Sequence, residues 1–207
     1  MPGRHDTRRS GKDGALALGL PPPTVPRRSA TPHALLCAAA LCAGLLAPGA
    51  AAAACAGAHR QPTRATLARD VAATRCLINR ARARHGLAPV HSVRALHRAA
   101  AAYSRQMVRA AFFAHESPDG STPASRVQRS GYLSGARSWS VGETLAWGSG
   151  PLSTPAAIVR AWMHSPGHRA ILLDGTFHDI GIGVAVGAPG ITGSAGTFTA
   201  DLGTRVR

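Results

Sequence analysis

The chain has 207 residues, with 24 Lys and Arg against nine Asp and Glu and a formal net charge of +15. A hydrophobic fraction of 45% excludes wholesale disorder, and no apolar run is long enough for a membrane-spanning helix. Every basic residue except Lys12 is arginine, so a GC-rich codon bias shaped the composition as much as function did, and the charge argues only weakly for a nucleic-acid partner.

Residues 1–33 are polar and basic, with a Pro-rich patch at Pro21-Pro22-Pro23 and no periodicity. An apolar run from Ala34 to Ala47 follows, broken by Pro48-Gly49, and the tract Ala50 to Ala54 offers small-residue cleavage sites. Basic region, apolar core and small-residue exit make residues 1–54 a cleaved secretory signal. Removing residues 1–50 takes six basic and two acidic side chains with it, so the net charge falls to +11. Cys37 and Cys42 leave with the signal, and Cys55 and Cys76 remain. Two cysteines in an exported chain favour a Cys55–Cys76 disulfide. The rival reading makes Cys55, after Ala52-Ala53-Ala54, a lipid-modified anchor, although Ala52 stands where Leu is usual.

Residues 55–66 read as a short linker and 67–207 as one domain. Leu67, Val71, Thr74 and Ile78 carry a helical stripe that Gly86 ends and Pro89 keeps from resuming. A second helix is predicted after Ser92 as N-cap, with Leu96, Ala100, Tyr103 and Met107 on one face, closing at Phe112-Phe113-Ala114-His115. Ser117-Pro118-Asp119-Gly120 is a turn, and Thr122-Pro123 opens a short helix ending at Gly131. Trp139 to Gly150 reads as irregular. Thr154-Pro155 and Ser165-Pro166 open two further helices. Asp179 to Val186 and Thr197 to Thr204 alternate as strands around a loop from Gly187 to Gly196. Helices first and strands last predict an α+β fold with an antiparallel sheet.

Three polar residues stand in apolar surroundings: His115 after Phe112-Phe113, Glu143 in Val141-Gly142-Glu143-Thr144-Leu145, and His168 after Trp162-Met163. A carboxylate in such a segment must be paired, hydrogen-bonded or protonated, and the histidines are its candidate partners. Such a set serves as metal ligands, as an acid–base pair or as a structural network. His115-Glu116-Ser117-Pro118-Asp119 begins like a zinc-protease helix but has Asp119 in place of the second His and a turn in place of a helix. No serine has the flanking glycines of a nucleophile elbow, and there is no phosphate-binding glycine loop.

Four segments in order carry a resemblance: Phe113-Ala114-His115-x-Ser117-Pro118-Asp119-Gly120, Gly131-Tyr132, Val141-Gly142-Glu143, and Ser165-Pro166-Gly167-His168-Arg169-x-Ile171-Leu172. Together with Leu77-Ile78-Asn79-x-x-Arg82-x-x-x-Gly86-Leu87-x-Pro89-Val90 ahead of them, they resemble the bacterial branch of the CAP superfamily. That superfamily includes cysteine-rich secretory proteins, antigen 5 and plant pathogenesis-related proteins. The resemblance implies an α-β-α sandwich with a small, mainly antiparallel sheet and a cleft holding His115, Glu143 and His168. Ser165 stands where many eukaryotic members carry a second glutamate, Thr144 replaces the usual Asn, and Ala200 replaces a Gln that would reach the cleft region.

What the resemblance implies functionally is an extracellular binding or interaction module. Its expected partners are a small or lipidic ligand, an extracellular protein, or anionic cell-envelope polymers, with no specific nucleic acid and a monomeric state. No cofactor is required, and His115, Glu143 and His168 are candidate ligands for a divalent metal such as zinc, one short of a closed structural site. The alternatives are a metal-assisted or acid–base hydrolase using the same three residues, and a purely structural hydrogen-bond network. The balance falls against an enzyme, because no nucleophile is in view.

Overall fold

The computed structural model describes residues 55–207; the predicted signal segment lies outside them. Among these residues five α-helices, α1 (Leu67–Arg84), α2 (Arg94–Arg109), α3 (Pro123–Arg129), α4 (Pro155–His164) and α5 (Pro166–Leu172), and a short 3-10 turn at Gly150–Ser153 accompany four strands, β1 (His91–Ser92), β2 (Ser138–Ser149), β3 (Asp179–Ala188) and β4 (Ile191–Val206). The sheet order is β1-β3-β4-β2. β4 pairs antiparallel with both β2 and β3, and β1 alone runs parallel to β3.

Strand alternation divides the core into two layers. On one face Ile180, Ile182, Val184, Phe198, Ala200 and Leu202 pack against Ile78 of α1 and Ile158 and Trp162 of α4. The other face receives α2, whose predicted stripe Leu96, Ala100, Tyr103 and Met107 is fully buried. Gly181 and Gly183 let α2 lie directly on the sheet. A Cβ at either would overlap the α2 backbone at Leu96 or Ala100. The α-β-α sandwich is therefore present.

Four local readings are corrected. Ser92 is the second residue of β1 rather than a cap; α2 is preceded by Val93, which makes no side-chain cap bond. The helix ends at Arg109, and Ala111 with φ +52° turns the chain before Phe112. Residues 138–149 form one long strand. Its alternation is of size rather than polarity: Val141, Glu143 and Leu145 on one face, Gly142, Thr144 and Ala146 on the other. A Cβ at Gly142 would press on Ile171 and Phe177, so that face admits only small residues there. The predicted loop from Gly187 to Gly196 shrinks to a tight turn, since β4 begins at Ile191.

The family-like first helix acts as a clamp. Asn79 donates its amide N–H to the Val90 carbonyl at 3.1 Å and accepts from the Val90 N–H at 2.9 Å. Arg82, 1% exposed, donates to the carbonyls of Ala88, Leu172, Asp174 and Phe177 at 2.9–3.2 Å. Burial among carbonyls lowers its pKa. Cys55 and Cys76 form a disulfide with Cα atoms 5.7 Å apart. The 55–66 segment packs on the domain: Cys55 and Ala58 are buried, and the Ala156 N–H donates to the Ala58 carbonyl at 2.8 Å.

Candidate functional site

Glu143 is buried on edge strand β2, facing the α2 side of the sheet. Its two oxygens have different partners. Oε1 lies 2.8 Å from His115 Nδ1, and Oε2 accepts from Arg126 of α3 at 2.7 Å. The sequence supplies the reason for each placement. Thr122 caps α3 through the Ser125 N–H, in a capping box closed by the Ser125 hydroxyl, and this aims the following turn at β2. The turn through Asp119 and Gly120, with Gly120 at φ +76°, brings the chain after His115 back beneath it.

Arg126 ties the site together. It donates to the carbonyls of Ser121 (2.7 Å) and His115 (2.9 Å) as well as to Glu143, and its guanidinium carbon lies 3.3 Å from the centroid of the Tyr103 ring. A desolvated cation on an aromatic face, bonded to a carboxylate, is a strong anchor. The Tyr103 hydroxyl donates to the Ala114 carbonyl at 2.6 Å and lies 3.1 Å from that of His115, so the backbone carrying the imidazole is held from two sides. Burial is the main cause that pushes the Tyr103 hydroxyl pKa up.

Asp201 of β4 lies directly opposite Glu143 in the ladder and is 2% exposed. Burial first, and the Glu143 charge second, raise its pKa well above the usual carboxylate range, while Arg126 acts the other way. Below His115, Asp119 accepts from the Ser117 hydroxyl and from the Ser121 N–H at 3.0 Å, and these bonds hold its pKa at about 2.

The structure thus joins His115 to Glu143. The close hydrogen bonds to the carboxylate come from His115 and Arg126, while His168 is buried in the first turn of α5. Ser165, half-buried, begins α5 without a side-chain cap bond. Ala200 packs in the core on the α1 and α4 face, away from Glu143, so the missing Gln side chain does not bear on this carboxylate. A zinc ion does not fit the arrangement. His115 Nδ1 and both Glu143 oxygens are already engaged, a guanidinium stands beside them, and among the described residues no three His, Cys, Asp or Glu side chains gather to hold a metal. Arg126 and Asp201 are the residues that sequence reasoning missed. Arg126 is one arginine among 23, and Asp201 meets Glu143 only through a strand register.

The comparisons agree with the geometry of the fold. A family model described as "CAP: Cysteine-rich secretory protein family" matches residues 76–200. The uncharacterized protein YkwD of Bacillus subtilis (strain 168) is 34% identical over 107 residues, covering 52% of this chain and 39% of that protein. The chain therefore spans well under half of that relative's length. An outer surface protein from Borrelia burgdorferi is similar at 22% identity and TM-score 0.53, over 64% of this chain and 90% of that one. An extracellular protein containing a SCP domain from Bacillus anthracis str. Ames is similar at 25% identity and TM-score 0.50, over 67% of this chain and 40% of that one.

Proposed function

Because the chain belongs to the cysteine-rich secretory protein (CAP) family, we propose that it is a secreted binding module that presents His115 as its recognition group. The observation that carries this reading is the double engagement of Glu143. With Oε1 on His115 Nδ1 and Oε2 on Arg126, the carboxylate is a positioning group rather than a free ligand or base. An imidazole whose Nδ1–H is given to a carboxylate offers its Nε2 lone pair outward. The His115 side chain is 34% exposed against 2% for Glu143, so the imidazole is the end of the pair that a ligand reaches. Such a nitrogen accepts from a hydroxyl, amide or ammonium donor on a small molecule, a lipid headgroup or a protein. Secretion is supported by the disulfide, which persists in oxidising compartments, and by the extracellular relative from Bacillus anthracis.

Native mass spectrometry of protein recovered from culture medium tests the reading. The expected result is a chain beginning within residues 51–55, a Cys55–Cys76 bond, and a co-purifying species that folded His115→Ala protein loses. Protein confined to the cell with reduced cysteines, or a species retained equally by His115→Ala, overturns it.

One observation favours a hydrolase as the second reading: the 2.8 Å His115–Glu143 pair has the geometry of an acid–base dyad. Ser117 is not its nucleophile, because its hydroxyl is buried against Asp119 and Ser121.

A further inference from the structure

A groove of about 310 Å³ runs between α1 and α4, on the face of the molecule that the His115 site does not use. Its floor is apolar, made by Leu77 and Ala81 of α1 and Ala156, Val159 and Met163 of α4. Its rim is cationic, made by Arg80 and Arg84 of α1 and Arg160 of α4. No acidic residue lines it. Arg80 and Arg84 stand four residues apart on one helix, where like charges repel. Arg82, between them in sequence, is buried and satisfied by four carbonyls, whereas among the described residues no acceptor engages the guanidinium of Arg80, Arg84 or Arg160. Past Arg160 the groove continues into a second hollow of about 400 Å³ lined by His59, Gln61 and Thr154, again without an acid.

We propose that this groove docks an acidic peptide segment of a partner protein, with an apolar anchor side chain on the Leu77–Met163 floor and carboxylates on the three arginines. Charge complementarity selects the sign of the partner, and the planar guanidinium matches the two oxygens of a carboxylate with two parallel N–H···O bonds. The floor selects its class. Five apolar side chains, two from α1 and three from α4, seat an apolar anchor between the arginines of the rim. A purely hydrophilic polyanion would leave that floor unused.

The experiment is fluorescence anisotropy of the purified protein with a fluorescein-labelled peptide in which glutamates flank a central leucine. The same peptide with glutamines and vesicles of phosphatidylglycerol are the comparators. The acidic peptide binds at low salt and weakens as salt screens the arginines. Arg80→Ala/Arg84→Ala weakens it roughly tenfold, two lost charge-assisted contacts on an exposed rim. The Tm of this variant holds, since neither side chain has a described partner to lose. His115→Ala leaves peptide affinity unchanged, which separates this groove from the recognition site proposed above. Equal affinity for the glutamine peptide, equal affinity of the double variant, or vesicle binding in the absence of peptide binding overturns the proposal.

Discussion

Glu143 and Asp201 face one another in the sheet, both buried, with a single arginine to compensate two carboxyl groups. The folded protein therefore keeps a proton on Asp201 that an unfolded chain releases near the ordinary value of 3.8. Above that value the unfolded state binds fewer protons than the folded one, so this residue contributes stability at low pH that declines as pH rises toward its elevated folded pKa. Asp119 acts in the opposite sense: its contribution is present above 3.8 and is lost as pH falls through about 2. Chemical denaturation of the wild type and Asp201→Asn across pH separates the two. The variant gains stability relative to wild type as pH rises, and a difference that does not change with pH would contradict the assignment. At this scale half of the site was legible. A carboxylate in an apolar stretch announces that it needs a partner, and His115 is one of those it has. Arg126 was hidden because an arginine in a short helix looks the same whether it is solvated or buried. Asp201 was hidden because its neighbour is set by the pairing of strands far apart in sequence.

The elements that carry a strong helical period or an N-cap followed by proline were readable in advance: α1, α3, α4 and α5 begin where Thr66, Thr122, Thr154 and Ser165 stand. β2 was not, because its alternation is between large and small side chains, and glycine at 142 and 148 reads as punctuation. β1 was not, because two residues are too few for a period. The contact of α2 with the sheet explains the glycines of β3 in the same physical terms. Gly181→Ala places a methyl group into the α2 backbone and costs about 3 kcal/mol or more, because neither backbone can yield without moving a whole element. Gly175→Ala, whose Cβ would lie 3.5 Å from a Leu87 methyl, changes stability by less than about 0.5 kcal/mol. Urea midpoints of the two variants check the contrast, and comparable losses would show that α2 does not depend on this close approach.

Over the whole molecule, the disulfide closes the 55–66 segment onto α1 across a sequence separation of 21. A loop of that length contributes about 3 kcal/mol through the unfolded chain, so reduction, or Cys55→Ser with Cys76→Ser, lowers the Tm by roughly 10 °C. Calorimetry with and without reductant measures it, and an unchanged Tm would place the stability of the domain elsewhere. The order of the strands has a temporal meaning as well. β4 follows every other element in the chain, yet it is the strand that joins β3 to β2. During vectorial synthesis Glu143 waits without Asp201, and β2 without a ladder, until β4 is made. The described sheet therefore closes only when β4 arrives to bridge its two neighbours.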